Sequence, residues 1–152
     1  IATVLAAAEL KLNVGIDAWA PMAENMVSDT ATRPSDIIKI YGGKTVEVLN
    51  PDAEGRLILA DALMRAQEFN KKLDGIIDVA TLTGAQVVAL GSRTSAVMTN
   101  NEELAEQFVS NPWLHLDIAG PAFNEGKAHG YTPVGGTGVS LRSLISLFSS
   151  ME

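Results

Sequence analysis

The sequence NPDAEGRL at residues 50–57 joins a strand-like run to a helix-like run, and this junction decides the fold. Before it, Val46 and Val48 alternate with polar residues at the period of a strand. After it, residues 57–69 repeat apolar side chains at the spacing of an amphipathic helix. Strand-to-helix units build α/β folds, which place their ligands at the carboxyl ends of strands. We therefore predict an α/β fold with a mostly parallel, twisted sheet and helices on both faces.

Residues 50–57, called the octet below, carry side chains suited to binding metal ions. Asp52 and Glu54 offer hard carboxylate oxygens that can bridge two divalent cations, and Gly55 lets backbone or ligand approach closely. Acids also occur at helix starts, so both residues could serve only the free N–H groups of the next helix. Arg56 favours a functional site, because a cation in the first helical turn opposes the helix dipole at a cost of roughly 0.3–1 kcal/mol. Near metals, an arginine could hold an anion or a developing negative charge.

The octet opens a longer motif. Residues 50–63, NPDAEGRLILADAL, closely resemble the signature of the M17 leucyl aminopeptidases, also called cytosol aminopeptidases. Pro51 stands where the family usually has threonine, but proline leaves the neighbouring carboxylates in place. Further stretches agree with the family in the same order, so the resemblance covers nearly the whole chain. They are ENM (24–26), RPSDI (33–37), GKTVEV (43–48), DVATLTGA (78–85) and HLDIAGPA (115–122).

The resemblance implies roles for particular residues. Asp52 and Glu54 would be ligands of a two-metal centre of zinc, manganese or magnesium ions, with Glu54 bridging the pair. Arg56 would be the catalytic arginine and would hold a bicarbonate that relays protons. The substrate would meet a turn that follows the strand-like run of residues 75–80, and the turn residues concerned are Thr81, Leu82 and Gly84. We expect these groups to meet at the carboxyl edge of one sheet.

The resemblance also implies an activity and an assembly. The protein would hydrolyse amino-terminal residues, leucine and others, from peptides, and would work as a homo-hexamer. Residues 1–152 would then form part of the catalytic domain, without the family's upstream metal-ligand segment and without an internal segment near residues 109–112. The family supplies a lysine, two further aspartates and a catalytic lysine before the position of Ile1.

Two other functions compete with this one. The chain could be a non-catalytic fragment of such a domain, folded but lacking the full ligand set, because two carboxylates alone do not hold a pair of ions. Alternatively, the glycines at residues 135–138 precede a helix and could cradle a phosphate, although their pattern is incomplete for a dinucleotide site. A tight turn explains these glycines more simply.

Composition excludes several classes of partner. The chain of 152 residues has a formal net charge of −7, which disfavours nucleic acids and anionic membrane surfaces as partners. It has no cysteine, so disulfides and thiolate metal sites are excluded. No apolar run reaches the roughly 18 residues of a membrane helix, and residues 1–8 lack the pattern of a signal peptide. We predict a cytoplasmic protein.

Local patterns predict the remaining elements. Helices are expected over residues 1–12, 57–70, 101–109 and 139–148, and strands over residues 13–20, 37–40, 45–49, 75–80, 87–90, 95–99 and 115–118. Gly42 and Gly43 predict a hairpin between two of these strands. His115 and Asp117 share one face of a strand, but this spacing is weak evidence for a metal site and a structural role is favoured.

Overall fold

The computed structural model describes residues 1–70, 72–100 and 113–150. The chain divides into two compact units, the first made of Ile1–Ile16 with Leu73–Glu152 and the second of Asp17–Lys72. The described elements in chain order are α1 (Ala2–Glu9), β1 (Asp36–Lys39), β2 (Thr45–Val48), a 3₁₀ turn (Pro51–Ala53), α2 (Gly55–Phe69), β3 (Ile76–Ala80), α3 (Gly84–Leu90), β4 (Ala96–Thr99), β5 (Trp113–Asp117), β6 (Phe123–Asn124), β7 (Gly135–Gly136) and α4 (Leu141–Ser150). No described helix is long and apolar enough to cross a bilayer.

A three-stranded sheet forms the centre of the first unit. Its strand order is β3-β5-β4, and β5 pairs in parallel with β3 and in antiparallel with β4. In β5, Leu114 and Leu116 are buried on one face and His115 and Asp117 on the other. The two leucines form the core of the unit together with partly buried neighbours, which are Ile77, Ile118 and Leu144. The middle strand is therefore buried on both faces and fixes the register of the other two.

Short elements complete the first unit. β6 pairs with β7 in antiparallel, and the hydroxyl of Thr137 donates to the carbonyl of Pro121 at 2.6 Å. Helices α1 and α4 pack against each other.

The glycines predicted as a tight turn lie in and after β7, where Gly135 adopts a φ of 94° and Gly138 a φ of 62°. Such angles suit glycine. Residues 135–136 nevertheless form the strand β7, so the predicted tight turn is wrong at these two residues.

The second unit contains a hairpin and the longest described helix. β1 and β2 pair in antiparallel, with Ile38 opposite Val46, and both Gly42 and Gly43 have positive φ as the hairpin turn requires. Asp61 of α2 accepts a hydrogen bond from the backbone N–H of Tyr41 at 2.7 Å, which ties the helix to the turn.

Aromatic and charged side chains add further contacts between α2 and the rest of this unit. The Tyr41 hydroxyl donates to Glu68, and Arg65 donates to the same carboxylate at 2.8 Å. Trp19 and Phe69 meet edge to face, with ring centroids 5.4 Å apart. These contacts hold Tyr41 of the hairpin turn and Trp19, which precedes the hairpin, against the last turns of α2.

The prediction of an α/β fold is confirmed, and β3 and β5 supply its parallel pair. The other described pairs are antiparallel, so the described sheets hold a smaller parallel share than the mostly parallel sheet predicted from the sequence. The reason lies in the connections: the tight turn at residues 42–43 can join only antiparallel strands.

Two of the predicted strands are wrong. Residues 13–20 form no strand, because Val14 and Ile16 line an apolar groove with residues of α1 and have no strand partner among the described residues. Residues 87–90 lie in α3, because Thr83 caps this helix by accepting from the N–H of Gln86 at 3.2 Å. A short apolar run fits a helix and a strand equally well by periodicity alone. The helix predicted over residues 101–109 lies outside the described residues.

Candidate functional site

The octet begins with a turn that Asn50 stabilises. The side-chain oxygen of Asn50 accepts the backbone N–H of Asp52 at 3.0 Å, and its carbonyl accepts the N–H of Ala53 at 3.1 Å. Pro51 occupies the first position of this 3₁₀ turn, where its missing N–H costs nothing. The departure from the family's usual threonine is therefore compatible with the local backbone.

Helix α2 starts directly after this turn without help from a carboxylate. Glu54 is the residue before the helix, and its carbonyl accepts the N–H groups of Leu57 and Ile58 at 2.8 and 3.2 Å. Its side chain makes no capping hydrogen bond. The carboxylate of Asp52 also has no hydrogen bond or ion pair to any described residue. Neither side chain therefore caps the helix through a hydrogen bond to a described residue.

The three predicted functional side chains of the octet differ in exposure. Asp52 and Arg56 are exposed, whereas Glu54 is half-buried. Arg56 lies in the first turn of α2 and forms no ion pair with a described residue. The unfavourable position of this cation relative to the helix dipole thus has no compensation within the described part of the chain.

The two carboxylates of the octet fit part of a divalent metal site. Their oxygens are hard ligands, and no described partner occupies them. Among residues 1–70, 72–100 and 113–150, however, no group of three or more His, Cys, Asp or Glu side chains is placed to hold an ion. A metal centre at Asp52 and Glu54 would therefore need further ligands from outside the described residues.

The predicted substrate turn lies in the first unit, between β3 and α3. Thr81 is exposed, Leu82 is half-buried, and Gly84 opens α3 with no atom within 4 Å of where a Cβ would stand. The turn is held by hydrogen bonds to one buried carboxylate, that of Asp117 at the end of β5. Leu82 donates its N–H to Asp117 Oδ1 at 3.0 Å, and Thr83 Oγ1 donates to Oδ2 at 2.7 Å.

Asp117 is completely buried and remains acidic. Burial by itself raises the pKa of this carboxyl, but hydrogen bonds from Thr83 and from the N–H groups of Leu82 and Ala119 lower it, and His115 lowers it further. The net effect holds the pKa of Asp117 below its ordinary value of 3.8. The contact of Asp117 with the substrate turn was not predicted from the sequence, where the available signal was an acid at the carboxyl end of an apolar strand.

His115, the other half of the His–x–Asp pair, has a separate partner. Its ring Nδ1 contacts the carboxylate of Asp78 in the neighbouring strand, where the two residues are in register. Both side chains are buried. His115 thus contacts a neighbouring strand, which supports the structural role favoured from the sequence, whereas Asp117 contacts the substrate turn and the chain after β5.

The predicted site residues fall into two groups. Asp52, Glu54 and Arg56 lie together in the second unit, and the turn from Thr81 to Gly84 lies in the first. The expectation that both groups leave one sheet is wrong, because β2 pairs with β1 in a hairpin whereas β3 pairs with β5. That the two groups act together stays a prediction.

Comparison with curated proteins gives the family. The model of the cytosol aminopeptidase family, catalytic domain, matches residues 1–111. A probable cytosol aminopeptidase of Streptomyces griseus is 44% identical over 200 residues, which include 96% of this chain and 38% of the relative. One of Nocardia farcinica is 43% identical over 204 residues, with 99% of this chain and 40% of the relative. The chain thus spans about two fifths of the length of these relatives.

Solved structures agree with the sequence comparison. The bottromycin maturation enzyme BotP in complex with Mn matches 86% of this chain and 40% of its own chain, with a TM-score of 0.78 and 31% identity. A mutant of tomato leucine aminopeptidase matches 84% of this chain and 34% of its own, with a TM-score of 0.72 and 31% identity. From its sequence match, its relatives and its fold, the chain belongs to the cytosol aminopeptidase family.

Proposed function

We propose that the complete gene product containing this chain is a metal-dependent aminopeptidase that removes amino-terminal residues, leucine among them, from peptides. The observation that carries the proposal is the pair of carboxylates in the octet, Asp52 and Glu54. Both stand at a helix start, and neither is used as a cap or paired with a described residue. Membership of the cytosol aminopeptidase family supports the same activity.

Asp52 and Glu54 would hold divalent ions of zinc, manganese or magnesium in a two-metal centre, with Glu54 bridging. A relative of similar fold, BotP, has been solved in complex with Mn, which supports a divalent ion here. When bound, such ions polarise a peptide carbonyl and lower the pKa of a bound water. The exposed position of Asp52 and the half-buried position of Glu54 leave their oxygens within reach of ligands.

Arg56 would stabilise negative charge. Its guanidinium is exposed, lies next to two acids in the chain, and has no described ion-pair partner. A planar fork of donors suits a bicarbonate ion or the developing oxyanion of the reaction. This role accounts for a cation in a turn of α2 where the helix dipole disfavours it.

The turn from Thr81 to Gly84 would receive the peptide through backbone groups of Leu82 and Gly84. Because the N–H of Leu82 already donates to Asp117, a peptide would meet the carbonyl of this residue rather than its N–H. Gly84 adds no side chain at the start of α3, which keeps the backbone accessible.

We further propose that the protein is a cytoplasmic homo-hexamer that binds peptides. We propose that it binds neither nucleic acid nor membrane, because its net charge of −7 would repel these anionic partners.

A non-catalytic fragment is the second candidate. No described group of three metal-binding side chains exists, and the match to the Streptomyces griseus relative extends over 200 residues, more than the 152 of this chain. The first fact favours an incomplete ligand set among the described residues, and the second favours an internal segment that the relative has and this chain lacks. The 152-residue chain would then fold without turning over substrate.

Arg56→Ala in the complete gene product tests the aminopeptidase proposal. Turnover of a leucyl amide should slow while the metal content stays nearly unchanged, because Arg56 acts on charge in the transition state and not as a ligand. Arg65→Ala is the matched control, since Arg65 is an exposed arginine of the same helix that pairs with Glu68. Full turnover in Arg56→Ala, or loss of its metal, would refute the assigned role.

The purified 152-residue chain separates the two candidates. We expect no hydrolysis of leucyl amides and calorimetric binding of zinc or manganese no tighter than about millimolar, since two carboxylates leave each ion short of ligands. Robust turnover by this chain would contradict the fragment hypothesis.

A further inference from the structure

The two parallel strands of the first unit separate at Asp117. In the strand register Ala80 stands opposite Asp117, and the next hydrogen bond runs from Ile118 N–H to the Ala80 carbonyl at 2.8 Å. Beyond this point the chain after β3 turns toward α3. The side chain of Asp117 therefore lies where the backbone ladder ends and the substrate turn begins.

Beyond the last backbone hydrogen bond between the two strands, the carboxylate of Asp117 accepts the next hydrogen bonds. Asp117 Oδ1 accepts the N–H of Leu82 at 3.0 Å and the N–H of Ala119 at 3.1 Å, while Oδ2 accepts the hydroxyl of Thr83 at 2.7 Å. The same hydroxyl accepts the N–H of Gln86 at 3.2 Å. Asp117 is thereby connected to the substrate turn, to the start of α3 and to the chain after β5.

The buried carboxylate of Asp117 must be stabilised by hydrogen-bond donors. Asp117 is 0% exposed, and a buried carboxylate is tolerated only when donors replace the water it has lost. Charge-assisted hydrogen bonds are short and directional, so the carboxylate fixes the orientation of the Leu82 peptide group. An apolar residue at position 117 could fill the space but could not fix that orientation.

We propose that Asp117 is a positioning residue for peptide hydrolysis, whose buried carboxylate holds the turn from Leu82 to Gly84 in the conformation that receives the peptide. The inference rests on the proposed function, since it assigns substrate contact to this turn. Asp117 acts through Leu82 and Thr83 and need not touch the substrate.

Kinetics of the complete gene product with Mn²⁺ test the effect on substrate. Asp117→Asn and Thr83→Val should each raise the KM for a leucyl amide by about tenfold, the factor expected for one lost hydrogen bond of the charge-assisted kind. Metal content and kcat should change much less. Thr83→Ser keeps the hydroxyl and should retain the KM of the unaltered protein. Should Asp117→Asn fail to fold, the comparison of Thr83→Val with Thr83→Ser still decides the test.

Amide hydrogen exchange tests the effect on the turn without any need for activity. In Asp117→Asn the protection of the Leu82 amide should fall at least about tenfold, whereas that of Val79 in β3 should not change. Unchanged protection at Leu82, or an equal loss at Val79, would overturn the inference, as would an unchanged KM in Asp117→Asn and Thr83→Val. Unaltered protein that neither binds nor cleaves leucyl peptides would refute the proposed function itself, and the inference with it.

Discussion

Gly120→Ala should destabilise the first unit strongly, because its environment leaves no room for a methyl group. A Cβ at this position would lie 2.5 Å from the carbonyl oxygen of Gly91 and 3.0 Å from Gln86 Oε1. The first of these atoms belongs to the backbone, so it cannot swing away as a side chain could. Gln86, which is 4% exposed, also accepts the N–H of Gly120 at 2.7 Å and donates to the carbonyl of Thr94.

The expected loss of stability has two parts. Overpacking a filled site costs roughly 1–3 kcal/mol. Displacing Gln86 from its bond to Gly120 adds roughly 0.5–1.5 kcal/mol, the net worth of one hydrogen bond. We therefore expect the free energy of unfolding to fall by about 1.5–4.5 kcal/mol, a large part of the roughly 5–15 kcal/mol typical of a domain.

Urea unfolding, combined with amide exchange in β5, measures this loss in the first unit. Gly84→Ala is the matched control, because it lies in the same unit, has no atom within 4 Å of the new methyl group and starts a helix. It should stabilise by roughly 0.5–1 kcal/mol, the helix preference of alanine over glycine. A Gly120→Ala protein within about 0.5 kcal/mol of the unaltered chain, the scatter expected of a neutral surface change, would refute the steric argument.

Three further predictions concern the core and the titrating groups. Leu114→Ala should lower the free energy of unfolding by about 2–5 kcal/mol in urea titrations, because this side chain is completely buried in the core, and a change below about 1 kcal/mol would contradict that role. The hydrogen bond to Glu68 raises the pKa of Tyr41 above 10.0, so Glu68→Gln should shift phenolate absorbance at this tyrosine to lower pH, and an unshifted titration would show that the bond is absent in solution. The pKa of Asp117 is lower in the folded chain than the ordinary 3.8, so its contribution to stability is present above that pH and is lost as the pH falls through the folded pKa. Urea titrations at falling pH should therefore show a steeper loss below about pH 4 in the unaltered chain than in Asp117→Asn, and equal slopes would contradict the lowered pKa.

Local sequence signals predicted the elements that local interactions form. The paired glycines at residues 42–43 require positive φ, and the hairpin they predicted is present. The helix after the octet also follows the prediction, since α2 ends at Phe69 where the apolar spacing ends. Residues 87–90 were misassigned because four apolar residues carry no decisive period, and the cap at Thr83 lies outside that run.

The sequence by itself determined the family and the residue types of the proposed site. The octet places Asp52, Glu54 and Arg56 within five residues of one another, and so short a stretch keeps these three side chains close together in any fold. Its resemblance to the cytosol aminopeptidases needed no coordinates, and the matching family and relatives confirm it.

Only the tertiary structure decided which side chains hold the substrate turn. Asp117 meets Leu82 across 35 residues of sequence, and His115 meets Asp78 across 37. The local spacing of residues cannot predict either contact, because both contacts depend on the register in which β3 and β5 pair. Register is set by the burial of Leu114 and Leu116 against the core, a property of the assembled sheet and not of any single segment.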